Sequence, residues 1–169
     1  FFAYKYRGNK NNTAYFFVHN NKLEVAWTVI PTIVLTVLII YGLRTWDRAM
    51  NVDVTDATVV EVYSKQFGWT ARSAGEDNKL GEANFKLVDN TNTLGVNMSD
   101  PNAADDKLLR EVHLVVGKPV LLKFRSQDVI HSAFLPHFRV QMNCVPGLST
   151  QFAFTPTQTT KEMKEQEGE

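Results

Sequence analysis

Between Val25 and Leu43 the chain runs VAWTVIPTIVLTVLIIYGL, 19 residues without a charge. No other stretch restricts the fold as severely. A helix needs about 20 largely apolar residues to cross a bilayer, and a core helix of a small domain is seldom this uniformly apolar. Trp27, Tyr41 and Trp46 fall near the two boundaries, where amphipathic rings settle at the headgroup level. Pro31 lies one turn inside and predicts a bend, tolerated where neighbouring helices satisfy the freed carbonyl. No small-residue cleavage site follows, so the stretch reads as an anchor rather than a removable leader. The expected span is 23–46.

Charge orients the anchor. The whole chain is neutral, with 18 basic and 18 acidic residues, so its balance gives no argument for nucleic acid. Locally the charges segregate. Residues 1–23 carry Lys5, Arg7, Lys10 and Lys22 and no acid, whereas four glutamates cluster within 161–169. Basic residues mark the cytoplasmic side, which leaves 47–169 outside. Phe1-Phe2-Ala3-Tyr4 followed by Lys5-Tyr6-Arg7 reads as the end of a preceding membrane helix, and Asn9–Asn21 as a polar loop.

Beyond the anchor, short strand-like runs alternate with turns. Ala57–Tyr63, Phe67–Arg72, Glu111–Val116 and Val120–Arg125 read as strands, with Gly117-Lys118-Pro119 as a corner. His113 is expected inside one of them as a structural residue. Ser73–Lys107 is polar and rich in Asn, Asp and Gly, which reads as a solvated insertion holding one short strand at Phe85–Val88. The tail 156–169 is polar and reads as exposed and irregular. An antiparallel sandwich accommodates this pattern.

Candidate chemistry concentrates in Asp128–Gly147, DVIHSAFLPHFRVQMNCVPG. His131 is expected at a strand end, where binding groups collect. Asp128, three residues earlier, is placed to order the turn or to hold the imidazole from behind. Glu24 stands at the inner end of the span, three residues before Trp27. A boundary carboxylate is unsurprising at a membrane interface. One cysteine, Cys144, excludes an internal disulfide and reads as a small buried residue.

The strings D-V-I-H-S, F-x-P and V-P-G, with L-E-x-x-W-T-x-I-P at Leu23–Pro31, resemble subunit II of cytochrome c oxidases of the haem–copper, bacterial aa3-like type. That resemblance implies a membrane-anchored all-β chain: one transmembrane helix, plus the end of a preceding one, followed by a cupredoxin-like antiparallel β-sandwich. It implies domains at 1–22 (helix end and cytoplasmic loop), 23–46 (span), 47–155 (cupredoxin-like, with the insertion 73–107) and 156–169 (tail). The implied setting is the bacterial cell (inner) membrane, multi-pass, with the β-domain periplasmic.

The implied function is electron uptake from cytochrome c at a dinuclear copper centre, CuA, and delivery to haem a in subunit I. Subunit I reduces O2 to water and pumps protons. Implied partners are subunit I, other oxidase subunits, the membrane, and cytochrome c or a cytochrome c domain of a respiratory supercomplex. By the same resemblance His131 is a CuA ligand, Asp128 supports it, and Glu24 stands at the entrance of a proton path.

Lys65-Gln66-Phe67-Gly68-Trp69 resembles the family's electron-receiving aromatic segment, with Phe67 where the family has a tryptophan and Trp69 beside it. The family's remaining copper ligands belong to a C-x-E-x-C-x-x-x-H-x-x-M segment that this sequence does not contain. Either the subunit is longer than this sequence at both ends, the favoured reading because residue 1 also falls inside a helix, or a second polypeptide supplies the ligands. Asn143 replaces a frequent aspartate, and His137 matches no ligand and is expected at the surface or a subunit contact. Two alternatives stay open: a copper-free quinol oxidase subunit II, and a redox-inactive structural subunit.

Overall fold

The computed structural model describes residues 1–8, 16 and 18–168. The chain divides into two compact units, 1–47 and 48–169.

The first unit holds α1 (Phe2–Lys5) and most of α2 (Asn21–Met50). Most of the expected Asn9–Asn21 loop lies outside the described residues. α2 contains the anticipated span and exceeds it at both ends. Asn20 caps it: its side-chain carbonyl accepts from the Leu23 amide at 3.1 Å, and Glu24 N–H makes the first helical bond, to Asn20 O, at 2.9 Å. Glu24 therefore sits in the first turn, where the helix dipole favours a carboxylate. At 1.5 Å per residue, 30 residues run about 45 Å, enough to cross about 30 Å of hydrocarbon. No residue of α2 is buried within the protein, so its apolar surface is left for lipid or other helices. Thr32 and Thr36 donate their hydroxyls to the carbonyls of Thr28 and Thr32 at 2.6 and 2.8 Å. That satisfies groups that hydrocarbon could not.

The second unit is built on a five-stranded sheet ordered β3-β2-β1-β4-β7 and a two-stranded sheet β5-β6. The strands are β1 (Thr58–Lys65), β2 (Gly68–Ser73), β3 (Lys107–Leu109), β4 (Val120–Ser126), β5 (His131–Leu135), β6 (Val140–Cys144) and β7 (Thr150–Phe154). β4 buries every second residue, so Val120, Leu122 and Phe124 turn one way. Together with Val60 they meet Ala133 and Cys144 of the β5–β6 pair, giving the expected two-layer core. One pair departs from the antiparallel pattern: β1 runs parallel to β4, with Thr58 opposite Val120. A parallel pair needs a long connection, and the chain between these strands provides it.

Three local expectations are corrected. Glu111–Val116 is not a strand, because no neighbouring strand offers its backbone a partner among the described residues; Lys107–Leu109 pairs with β2 instead. Phe85–Leu87 is a 3-10 turn, since the Asn84 side chain accepts from Lys86 N–H and closes the chain locally. The tail contains a helix, α3 (Thr160–Glu167), started by a reciprocal capping box between Thr159 and Glu162 and ended at Gly168 in the left-handed region.

The segment 73–107 is not a solvated insertion. Leu94 and Val96 are buried against Tyr63, so it roofs the sheet face opposite the main core. Its polar side chains serve its own backbone: Asn92 Nδ2 donates to Val96 O at 2.8 Å, and Asn92 Oδ1 accepts from Val96 N–H at 2.9 Å. Beneath it lies a buried ionic group. Glu61 accepts from Arg72 Nε at 2.7 Å and from Arg125 Nε at 2.6 Å, while Arg72 Nη1 reaches Asp106 at 2.6 Å. Two cations and two anions balance. Burial pushes the Glu61 carboxyl upward, but the hydrogen bonds and charges of the two arginines outweigh it and hold the group below its ordinary range.

Candidate functional site: an imidazole held by a carboxylate

β4 ends at Ser126, and a turn over 127–130 delivers His131 as the first residue of β5. Within that turn Asp128 makes three contacts. Its Oδ1 lies 2.8 Å from His131 Nε2 and accepts from Val129 N–H at 2.7 Å; its Oδ2 accepts from Gln66 N–H at 2.7 Å. The imidazole, then the Gln66 and Val129 amides, draw its pKa down to about 2. Asp128 is therefore a carboxylate at neutral pH.

The tautomer of His131 follows. A carboxylate can only accept, so the proton shared with it is carried by Nε2. In the neutral ring the lone pair then falls on Nδ1. A second-sphere carboxylate orients metal-binding histidines in this manner. The His131 side chain is 18% exposed, so the ring is held within the surface rather than projecting from it.

Asp128 also connects two turns. Through Gln66 it grips the tip of the β1–β2 hairpin, which carries Phe67 and Trp69. The Trp69 ring meets His131 edge-on, centroids 6.0 Å apart at 70°. Phe67 is 98% exposed. Trp69 is half-exposed beside the histidine, which the sequence pattern alone did not place.

Cys144 lies directly opposite His131 in the β5–β6 register. Cross-strand partners share a face, so both side chains point inward. The hairpin geometry could have shown this, since both residues are equidistant from the turn at Pro136–Arg139. The thiol is fully buried, as expected. Desolvation raises its pKa, and a hydrogen bond with Ser64 opposes that less strongly. Cys144 packs in the core as a neutral thiol.

The other candidates lie apart from this cluster. Glu24 belongs to the first unit. His113 is exposed outside any strand, 3.5 Å from Glu111. His137 Nδ1 contacts Glu167 of α3 at 3.1 Å, a contact not anticipated because the helix was not.

The donor set decides what metal chemistry is possible. Copper favours imidazole and soft sulfur. Among the described residues no three His, Cys, Asp or Glu side chains are grouped to hold a metal. His131 offers one imidazole nitrogen, with Asp128 2.8 Å behind the ring. The residues present do not make up a dinuclear cage.

Residues 1–45 match the family model described as cytochrome C oxidase subunit II, transmembrane domain. Over 159 residues, 93% of this chain, it is 32% identical to an alternative cytochrome c oxidase subunit 2 of Bradyrhizobium diazoefficiens, of which it covers 57%. Along most of its length the chain is similar to subunit II of cytochrome c oxidases. A cytochrome c oxidase subunit 2 of Cereibacter sphaeroides is 26% identical over 90% of this chain and 53% of that protein. The chain thus spans about half the length of the curated relatives it matches. The periplasmic domain of subunit II of cytochrome oxidase (CoxB) of Bradyrhizobium japonicum overlays with a TM-score of 0.39 and 23% identity, over 63% of this chain and 70% of that one. No strand-by-strand correspondence follows at that score. Among the described residues one helix, Asn21–Met50, is long and apolar enough to cross a membrane, and it precedes the β-domain in the chain.

Proposed function

We propose that this chain serves as the electron-accepting subunit II of a cytochrome c oxidase, with His131 as one ligand of a dinuclear copper centre. The observation that carries the reading is the 2.8 Å contact between Asp128 and His131 Nε2, which leaves Nδ1 with the free lone pair. The remaining ligands come from outside these 169 residues. When bound, such a centre takes single electrons from cytochrome c and yields them to haem a of subunit I, where O2 is reduced and protons are pumped. This chain's residues hold and orient: Asp128 fixes the ring, and Phe67 and Trp69 form the exposed aromatic surface through which the donor approaches. The β-domain faces the periplasm of a bacterial cell in this reading.

The test is His131→Asn in the assembled oxidase. The mixed-valence copper EPR signal should disappear; an unchanged spectrum refutes the assignment. In the same assembly, Trp69→Leu should slow electron uptake from cytochrome c about tenfold with the copper signal intact. Uptake at the original rate would remove Trp69 from that role.

Glu24 is assigned the entrance of the proton path into subunit I, on its place in the first turn of α2 beside the membrane boundary. Glu24→Gln should lower turnover severalfold while copper content stays constant. Full turnover across pH 6–8 would count against it.

A further inference from the structure

Two buried hydroxyls sit at the root of the turn that delivers His131. Ser64 of β1 is fully buried and Ser126 of β4 is 8% exposed. They are partners in the parallel β1–β4 register. On its other side Ser126 bridges to Pro146, just beyond β6. A hydroxyl in such a place is costly unless it is hydrogen-bonded, and alanine would fill either position without that requirement. Both hydroxyls bond the backbone of the turn. Ser126 Oγ donates to Val129 O, closing the corner over 126–129. Ser64 Oγ donates to Arg125 O at 3.1 Å, and Ser64 O accepts from Gln127 N–H at 2.9 Å. Ser64 also hydrogen-bonds the thiol of Cys144, the residue opposite His131. The turn is thus tied at Arg125, Gln127 and Val129, independently of the contact between Asp128 and the ring.

We infer that Ser126 and Ser64 are positioning residues for His131. Asp128 belongs to the turn and sets the ring relative to it. The two serines set the turn relative to the sheet. Together they hold Nδ1 at one place above the core. A ligand carried on a turn fixed from beneath needs no rearrangement when it binds, whereas a loosely supported one is misplaced by about an ångström and binds poorly. The buried hydroxyls thereby specify one turn conformation, which a fully satisfied polar group inside a core can do and an apolar pair cannot. The inference rests on the copper reading only for what His131 binds.

The test is hydrogen–deuterium exchange on the assembled oxidase, stripped of copper, with EPR on the same samples after copper is restored. Ser126→Ala should speed exchange over residues 126–131 at least tenfold relative to 118–124. Ser126→Thr, which keeps the hydroxyl, should return the slow rate. Ser64→Ala should loosen 126–131 in the same way, and it decides the matter if Ser126→Ala does not assemble. Val120→Ala, in the same strand but at its far end, should lower stability without singling out 126–131. With copper restored, both serine-to-alanine variants should show an altered copper hyperfine splitting, and Val120→Ala should not. The proposal is overturned if 126–131 speeds no more than 118–124 in the serine-to-alanine variants, or if their splitting equals that of wild type. Failure of the copper reading shows separately, as an EPR signal that survives His131→Asn, and the exchange readout involves no metal.

Discussion

Glu61→Ala should cost the β-domain about 3–5 kcal/mol, the usual effect of removing one member of a buried ionic group. Glu61 is 4% exposed and is the carboxylate shared by Arg72 and Arg125. Without it, two guanidiniums face each other under the 73–107 segment, with Asp106 paired to Arg72 alone. A domain of this size is stable by about 5–15 kcal/mol, so the loss takes a large fraction of the total. Urea unfolding checks it, with the exposed Glu111→Ala as control. A cost below about 1 kcal/mol would mean that the group is solvated and loosely held, like a surface pair. The sign with pH is fixed by the lowered carboxyl. Stability from Glu61 is fully present above its ordinary value of 4.5 and is lost as pH falls below it.

Asp128→Ala should weaken copper binding in the assembled oxidase by 10–100-fold, the range for loss of a carboxylate behind a metal-binding histidine. It removes the acceptor that keeps the proton on Nε2 and also releases the Gln66 amide. Both the ring and the aromatic hairpin tip lose their anchor. The measurement is copper retained after dialysis against a graded chelator, with EPR on the same samples. Retention equal to wild type would separate Asp128 from the site. The Asp128 carboxyl is held at about 2 against an ordinary 3.8. Its stabilising contribution is therefore complete above pH 3.8 and disappears as pH falls through about 2. The stability difference between wild type and Asp128→Ala should accordingly shrink below pH 4.

The sequence was most legible where one physical term dominates. α2 needs only an uncharged stretch of sufficient length. β4 needs only alternation, because one of its faces meets the core. Alternation failed at Glu111–Val116, since period two specifies a strand's faces but supplies no partner for its edges. The segment 73–107 was misread because Asn and Asp signal turns whether or not the turns pack. Here Asn92 closes its own loop while Leu94 and Val96 go inward. α3 had a readable start, Thr159 with Glu162 three residues on, but only Met163 gives it an apolar side. At the site, the spacing of Asp128 and His131 was enough to pair them. The link from Asp128 to Gln66, 62 residues away, and the register of His131 with Cys144 depend on tertiary pairing. The Glu61 group left one local sign, a lone carboxylate within the β-branched run of β1.

The proton on the His131 ring is the most direct thing to observe. In the 169-residue chain labelled with 15N-histidine, ring shifts assigned by comparison with His131→Gln should show Nε2 protonated and Nδ1 bare at pH 8. A proton found on Nδ1 instead would mean that Asp128 does not hold the ring, and the arrangement assigned to copper would not exist.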